Sequence, residues 1–376
     1  MGISPLAFYN TLVRNNIDFF TGVPDSLLRN FCSCIDDNVP EGTHIIAANE
    51  GNAISLAAGY HMGTGKLPLV YLQNSGFGNA INPLLSLCDP EVYSIPMLVI
   101  IGWRGEPGLP DEPQHIKQGK VQIGLLEAMD YPYETISKGE EDFEAKVKKG
   151  IDKALDENRP FILLVKKGSF DTYESCKTRL DEGSMTREES LEKILNQLGH
   201  DDIVVSTTGR TSREIFELRE KNGEPHFRDF LTVGSMGHCS SIALGVAIAK
   251  PHRKVICIDG DGAMIMHLGS LSTIGKMKPR NFFHVLINNR VHESVGSQET
   301  SSKFIDIQSL VKSNGYRTVF SEKKGFPIEN QFRNFLRSVG PAFFEIVVKP
   351  GARVDLGRPT VKPIENKRAF MNFVKK

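Results

Sequence analysis

Apolar residues recur along this chain in two rhythms. Short unbroken apolar runs alternate with longer stretches in which apolar positions return every three or four residues. In the first half the runs are Asp18–Thr21, His44–Ala47, Leu69–Leu72, Pro96–Ile101, Tyr133–Ile136 and Phe161–Val165. In the second they are Ile203–Ser206, Phe230–Val233, Val255–Ile258, Phe282–Ile287, Tyr316–Phe320 and Phe343–Val348. Runs without strict alternation predict strands buried on both faces, as in parallel sheets covered by helices on two sides. Helical periodicity predicts helices over Ser4–Asn15, Gly51–His61, Glu140–Asn158, Arg187–Leu198, Arg213–Lys221, Ser240–Ala249 and from Ala263 to about Lys276. Ser4 suits an N-cap and Pro5 the first helical position. Residues 103–120, WRGEPGLPDEPQHIKQGK, predict a polar loop too long for a mere connection. Residues 349–376 read as a basic tail without a period. The rhythm lapses once, in the polar stretch 171–187, which predicts a linker. The expected architecture is α/β, with two doubly wound parallel-sheet domains at 1–170 and 188–376.

Composition narrows the function. A chain of 376 residues that is 40% hydrophobic can build two cores. Lys and Arg number 45, as do Asp and Glu, so bulk attraction to nucleic acid or an anionic membrane is not expected. The six cysteines show no metal or redox spacing; several fall in apolar runs and read as small buried hydrophobes, which fits a reducing compartment. The first residues lack the basic start and apolar core of a signal peptide, and no apolar run spans a bilayer. A cytoplasmic protein without membrane or nucleic-acid partners is expected.

The chemistry gathers in Lys254–Asn289. The strand Val255–Ile258 runs into Gly260-Asp261-Gly262, and the strand Phe282–Ile287 runs into Asn288-Asn289. In a parallel sheet both strand ends reach one edge, where ligands bind. A carboxylate and an amide oxygen are hard ligands suited to Mg²⁺, and a diphosphate would complete an octahedron. An ordinary α/β turn followed by an Asn C-cap would give the same letters. Paired at this spacing, however, they resemble the motif of thiamine diphosphate enzymes. That resemblance implies that Asp261, Asn289 and the carbonyl of Val291 hold the metal. It assigns Thr208-Gly209, Gly234-Ser235, Gly262, Ala263 and His292 to the cofactor, and Met236 to the wedge that bends it. Glu50 supplies the other half. Alone, an acidic residue in a helix's first turn merely complements the dipole. In Ala47-Ala48-Asn49-Glu50-Gly51-Asn52-Ala53 it resembles the glutamate of the pyrimidine-binding domain, which shares a proton with the cofactor's aminopyrimidine. The resemblance therefore implies the thiamine diphosphate-binding fold, pyrimidine-type domain then diphosphate-type domain, with no middle domain.

Four further strings sharpen it: TGVPDSLL (21–28), DEPQH (111–115), GSMGH (234–238) and NNRVHESVG (288–296). Over essentially the full length the chain resembles the phosphonopyruvate decarboxylases, and more distantly the sulfopyruvate decarboxylases. The implied reaction converts 3-phosphonopyruvate to phosphonoacetaldehyde and CO₂ through a thiamine ylide and an enamine, in phosphonate biosynthesis of the 2-aminoethylphosphonate type. Asp25 and His115 then become candidates for proton transfer. Arg104, Lys117, Lys120, His292 and Ser294 are alternatives for the phosphonate, and nothing in the sequence chooses among them. One departure stands out: pyruvate decarboxylases place a catalytic Glu six residues after the metal-binding Asn, where this chain has Val295, with Glu293 out of register. The family implies a homodimer or larger assembly with the active site at the subunit interface. Two other readings survive. One is a sulfopyruvate decarboxylase. The other is a non-catalytic nucleotide-binding Rossmann-like protein, which would need a G-x-G-x-x-G that neither half opens with.

Overall fold

A computed structural model describes residues 1–177 and 183–376. Residues 178–182 of the expected linker lie outside the described residues. The chain divides into two units, 1–178 with 294–298 and 179–293 with 299–376.

The first unit runs α1 (Pro5–Arg14), β1 (Phe20–Gly22), α2 (Arg29–Asn38), β2 (His44–Ile46), α3 (Glu50–Thr64), β3 (Leu69–Gln73), α4 (Phe77–Pro83), β4 (Leu98–Gly102), α5 (Pro113–Ala128), β5 (Tyr133–Ile136), α6 (Phe143–Glu157) and β6 (Phe161–Val165). Its strands are all parallel in the order β2-β1-β3-β4-β6-β5. One core packs α1, α2 and α6 on one face, through Phe8, Phe31 and Ile151. The other packs α3, α4 and α5 on the opposite face, through Ile54, Phe77 and Leu126. Both faces of β3, β4 and β6 are therefore dry, which is why their residues read as continuous apolar runs.

The second unit runs α7 (Arg187–Leu195), β7 (Ile203–Ser206), α8 (Arg210–Lys221), β8 (Asp229–Leu231), α9 (Cys239–Ala249), β9 (Val255–Gly260), α10 (Asp261–Met266), α11 (Gly269–Met277), β10 (Phe282–Asn288), α12 (Ile307–Ser313), β11 (Thr318–Ser321), α13 (Ile328–Arg337), β12 (Ala342–Val347) and α14 (Pro363–Lys375). Its strands are parallel in the order β11-β12-β10-β9-β7-β8. Here α7, α8 and α13 cover one face and α9, α11 and α12 the other. In each unit the strand order reverses beside an inner strand, which opens a crevice at the carboxyl ends.

Several expectations need correction. The loop over 103–120 ends at Glu112, because Pro113 opens α5. The buried positions of α5 are His115, Gly119, Gln122 and Leu126, so only one large apolar residue marks its stripe. Helices α2, α4, α12 and α13 carry no expectation from the sequence. The stretch read as one helix from Ala263 to Lys276 is two, broken at His267-Leu268. The tail ends in α14, whose Phe370 is buried and whose Asn366 Nδ2 donates to Asp229 O at 2.9 Å. Five of the six cysteines are buried, but Cys176 is exposed.

Candidate active site

In the first unit, polar groups collect where β1 to β4 end. Asp25 follows β1 and is fully buried. Its Oδ1 accepts the Leu27 N–H at 3.2 Å, and Ser26 Oγ lies 3.5 Å from the same oxygen. Its Oδ2 has no hydrogen-bond partner among the described residues. That oxygen sits 1.7 Å from where a Cβ on Gly102 would stand, so glycine at the end of β4 makes room for it. Burial pushes the carboxyl up to about 6, against the pull of the Leu27 N–H and of Arg104. Arg104 donates from Nη1 to Ser26 Oγ at 2.9 Å and from Nε to Asp111 Oδ2 at 2.8 Å. Hydrogen bonding from Arg104 holds Asp111 well below the usual carboxylate range. Asn74 fixes this corner by bonding both backbone groups of Arg104, at 2.8 and 3.0 Å. His115 is buried in the first turn of α5.

Glu50 is the first residue of α3, behind Asn49, whose side chain caps the helix by accepting the Asn52 N–H at 3.0 Å. Only 5% of Glu50 is exposed. Oε2 accepts Asn79 Nδ2 at 2.8 Å. Oε1 occupies the space a Cβ on Gly76 would fill, 1.8 Å from it. Burial raises this carboxyl above its ordinary value, and the Asn79 amide and Glu50's own backbone N–H only partly offset that.

In the second unit, Asp261 is the first residue of α10 and is 3% exposed. Its Oδ2 accepts Ser302 Oγ at 3.0 Å and a short bond from Thr300 Oγ1. Burial raises it as well, against the two hydroxyls. Ser302 Oγ also reaches Asn288 Oδ1 at 3.1 Å, so one hydroxyl ties the ends of β9 and β10 together. Asn289 follows β10. Its Oδ1 accepts the Val291 N–H at 3.2 Å, and its Nδ2 donates to Glu293 Oε2 at 2.8 Å. Glu293 is in turn gripped by Arg187 at 2.6 Å and by Arg210, while Arg187 forks onto Glu214 with two bonds of 2.7 Å. Gly262 faces His292 and Met236: a Cβ there would meet the His292 ring at 3.0 Å and the Met236 methyl at 3.5 Å. Burial lowers His292 to about 4, so it is neutral at pH 7. Thr208 Oγ1 accepts the Gly234 N–H at 3.0 Å. Gly209, Gly234 and Ser235 all have positive φ, of 91°, 71° and 46°.

Two family models match the chain. The N-terminal TPP binding domain of thiamine pyrophosphate enzymes matches residues 6–124, and the C-terminal TPP binding domain matches residues 207–346. A phosphonopyruvate decarboxylase of Streptomyces viridochromogenes is 33% identical over 368 residues, covering 94% of this chain and 90% of that one. One from Streptomyces hygroscopicus is 34% identical, covering 88% and 84%. The chain belongs to the phosphonopyruvate decarboxylase family of thiamine pyrophosphate enzymes. A sulfopyruvate decarboxylase of Methanosarcina acetivorans is a more distant relative, 27% identical over 90% of this chain and 89% of that one.

Within this family the two-domain fold read from the sequence is the one observed. The structure brings Asp261 and Asn289 to adjacent strand ends and sets Met236, His292 and Gly262 side by side. Ala263 is buried in the first turn of α10 behind Gly262. Val291 is buried and bridges Glu299. Asp25 and Arg104 share one corner through Ser26. Lys117 and Lys120, expected in a loop, are on α5. Sequence reasoning missed Asn79, Gly76, Thr300, Ser302, Arg187 and Arg210. For the first pair the Gly/Asn-rich stretch 73–79 was a visible signal. For Thr300 and Ser302 there was none, because their partner is distant in sequence.

Proposed function

We propose that this chain is a cytoplasmic phosphonopyruvate decarboxylase dependent on thiamine diphosphate and Mg²⁺, acting in phosphonate biosynthesis. The observation that carries this reading is Asp261: a buried carboxylate, raised by its burial, one strand from Asn288-Asn289. Such a group calls for a cation, and its oxygen surroundings suit a hard one. Asp261 Oδ1, Asn289 Oδ1 and the Val291 carbonyl would hold the metal. Thr208, Gly209, Gly234 and Ser235 would bind the diphosphate through hydroxyl and N–H groups. Met236 and His292, with no Cβ at Gly262 between them, would shape the floor beneath the thiazolium. Thiamine diphosphate, when bound, supplies the carbon nucleophile and the electron sink for loss of CO₂.

The protein's own groups manage protons. Glu50 holds a proton readily, because burial in the Gly76 nook outweighs the amide donors from Asn79 and its own backbone. It would orient the pyrimidine and exchange that proton with its ring nitrogen. Asp25 holds a proton up to about pH 6 and has an oxygen with no hydrogen-bond partner among the described residues, which suits transfer at the reacting carbon. Buried His115 serves as the second transfer group. Arg104, oriented by Asp111, is the cation beside Asp25. Two copies at least would assemble, Glu50 of one completing the site around Asp261 of the other. Sedimentation tests this, and a fully active monomer overturns it.

The deciding experiment measures CO₂ release from phosphonopyruvate, sulfopyruvate and pyruvate side by side, with and without thiamine diphosphate and Mg²⁺. Phosphonopyruvate should be turned over fastest and only with both present. Comparable turnover of pyruvate, or faster release from sulfopyruvate, sinks the assignment.

A further inference from the structure

Behind the Gly260-Asp261-Gly262 turn, four side chains converge that the decarboxylase reading does not use. Cys239 opens α9. Cys257 and Asp259 are alternate residues of β9 and so point to one face of the sheet. His284 lies on β10 directly across from Cys257 in the parallel register. Cys239 is 1% exposed and the other three are fully buried.

Their spacing is specific. The two sulfurs are 3.8 Å apart. One ligand atom from each of Cys239, Cys257 and Asp259 lies within 4.8 Å of the others. His284 Nε2 is 3.4 Å from Asp259 Oδ2 but lies outside that mutually close set, so it would have to move toward the sulfurs to complete a tetrahedron. A tetrahedral ion with bonds of about 2.3 Å to sulfur and about 2.0–2.1 Å to nitrogen or oxygen separates two sulfurs by about 3.8 Å and a nitrogen–oxygen pair by about 3.4 Å. The sulfur–sulfur and nitrogen–oxygen edges match, while at least one edge from His284 to the trio is longer than 4.8 Å and would shorten on binding.

The supporting contacts point the same way. His284 Nδ1 is bonded to Tyr316 OH at 2.9 Å, and Asp259 Oδ1 accepts the Gly260 N–H at 2.9 Å. The inner atoms, His284 Nε2 and Asp259 Oδ2, have no hydrogen-bond partner among the described residues. Ligating histidines and carboxylates are held in this manner, outer atom anchored and inner atom presented.

We propose that Cys239, Cys257, Asp259 and His284 form a structural site for a thiophilic divalent ion of the zinc class, beneath the diphosphate-binding turn. Two thiolates select against Mg²⁺, so this centre is distinct in chemistry from the hard-oxygen site at Asp261 and Asn289. Complete burial means that the ion enters as the unit folds and does not exchange with solvent afterwards. Asp259 is joined to Gly260 through backbone and hydrogen bond, so the ion would brace the turn that presents Asp261.

The test uses the full chain freed of thiamine diphosphate and Mg²⁺ by gel filtration. Elemental analysis should find about one zinc per chain. Protein refolded with Co²⁺ should show a sulfur-to-cobalt charge-transfer band in the near ultraviolet. X-ray absorption on the zinc form should give two sulfur and two nitrogen or oxygen neighbours. Cys239→Ser should lose most of the zinc and the band. Zinc-free folded protein with no cobalt band overturns the proposal even if the variant fails to fold. So does a Cys239–Cys257 disulfide in the purified protein, or a metal shell of oxygen alone. None of these readouts involves decarboxylation, so the failure of this proposal and that of the decarboxylase reading are distinguishable.

Discussion

Glu50 and Asp261 hold equivalent posts in two units of one architecture. Each is the first residue of the helix that follows a parallel strand, each is at most 5% exposed, and burial raises each carboxyl. Their neighbours differ. Glu50 has amide donors from Asn79 and its own backbone, and a glycine against one oxygen. Asp261 has two hydroxyls on one oxygen, and the amides of β10 begin one strand away. A proton relieves the first environment; a cation suits the second. The fold places an acid at a strand end, and the second ring of residues decides what that acid does.

The sharpest way to break the comparison is to remove each acid's charge while keeping its shape. Glu50→Gln should cut turnover by about 10²–10⁴-fold, the range for losing a positioned proton carrier, while Mg²⁺-dependent cofactor binding stays within a few-fold. Asp261→Asn should do the reverse first: calorimetry should find cofactor binding that no longer responds to Mg²⁺. If both variants bind the cofactor with normal metal dependence, the two acids do not divide the work as stated. Gly76→Ala tests the nook itself. Its Cβ would overlap Glu50 Oε1, so activity should fall about as far as in Glu50→Gln with the second unit's metal response unchanged. An active Gly76→Ala enzyme would show that the nook does not matter.

What could be read beforehand follows the same division. Strands β3, β4, β6, β9 and β10 were legible, because burial on both faces leaves apolar runs that no other element needs. Turn chemistry marked the strand ends where the acids sit, but only the resemblance to thiamine diphosphate enzymes singled the acids out. Helix α5 was not, since its buried face is His115, Gly119, Gln122 and Leu126, and a stripe of one leucine has no period. Helix α14 hid because, apart from Ile364, its apolar positions cluster in its second half around Phe370. The rings around the acids were the least legible. Thr300 and Ser302 reach Asp261 across 39 and 41 positions, and no local pattern encodes that.

Asp25 offers a smaller effect with a distinctive pH signature. Its pKa of about 6 in the folded chain lies above the ordinary 3.8, so between those values the folded state binds more protons than the unfolded one. Stability therefore falls as pH rises from about 4 to about 6, by up to ~3 kcal/mol, and the penalty persists at neutral pH. Asp25→Asn removes it. Urea unfolding should find the variant more stable than wild type at pH 7.5, with that gain absent at pH 4, while turnover drops. Equal stability gains at both pH values would mean that ionisation of Asp25 is not the cause.

The mildest prediction concerns what holds the amide beside Asp261. Asn289 donates to Glu293, and Glu293 is clamped by Arg187 and Arg210. A fixed Nδ2 leaves Oδ1 in a set direction, which is how partners behind a ligand tune metal affinity. Glu293→Gln keeps an acceptor for Asn289 but loosens the arginine clamp, and Arg187 retains Glu214 as its counter-charge. The Mg²⁺ concentration for half-maximal cofactor binding should rise by about 10-fold, with turnover at saturating Mg²⁺ nearly restored. A general folding defect would lower activity at every Mg²⁺ concentration. An unchanged Mg²⁺ response would mean that the orientation of Asn289 is set by the Val291 N–H alone, and that the difference between the two acids lies wholly in the hydroxyls of Thr300 and Ser302.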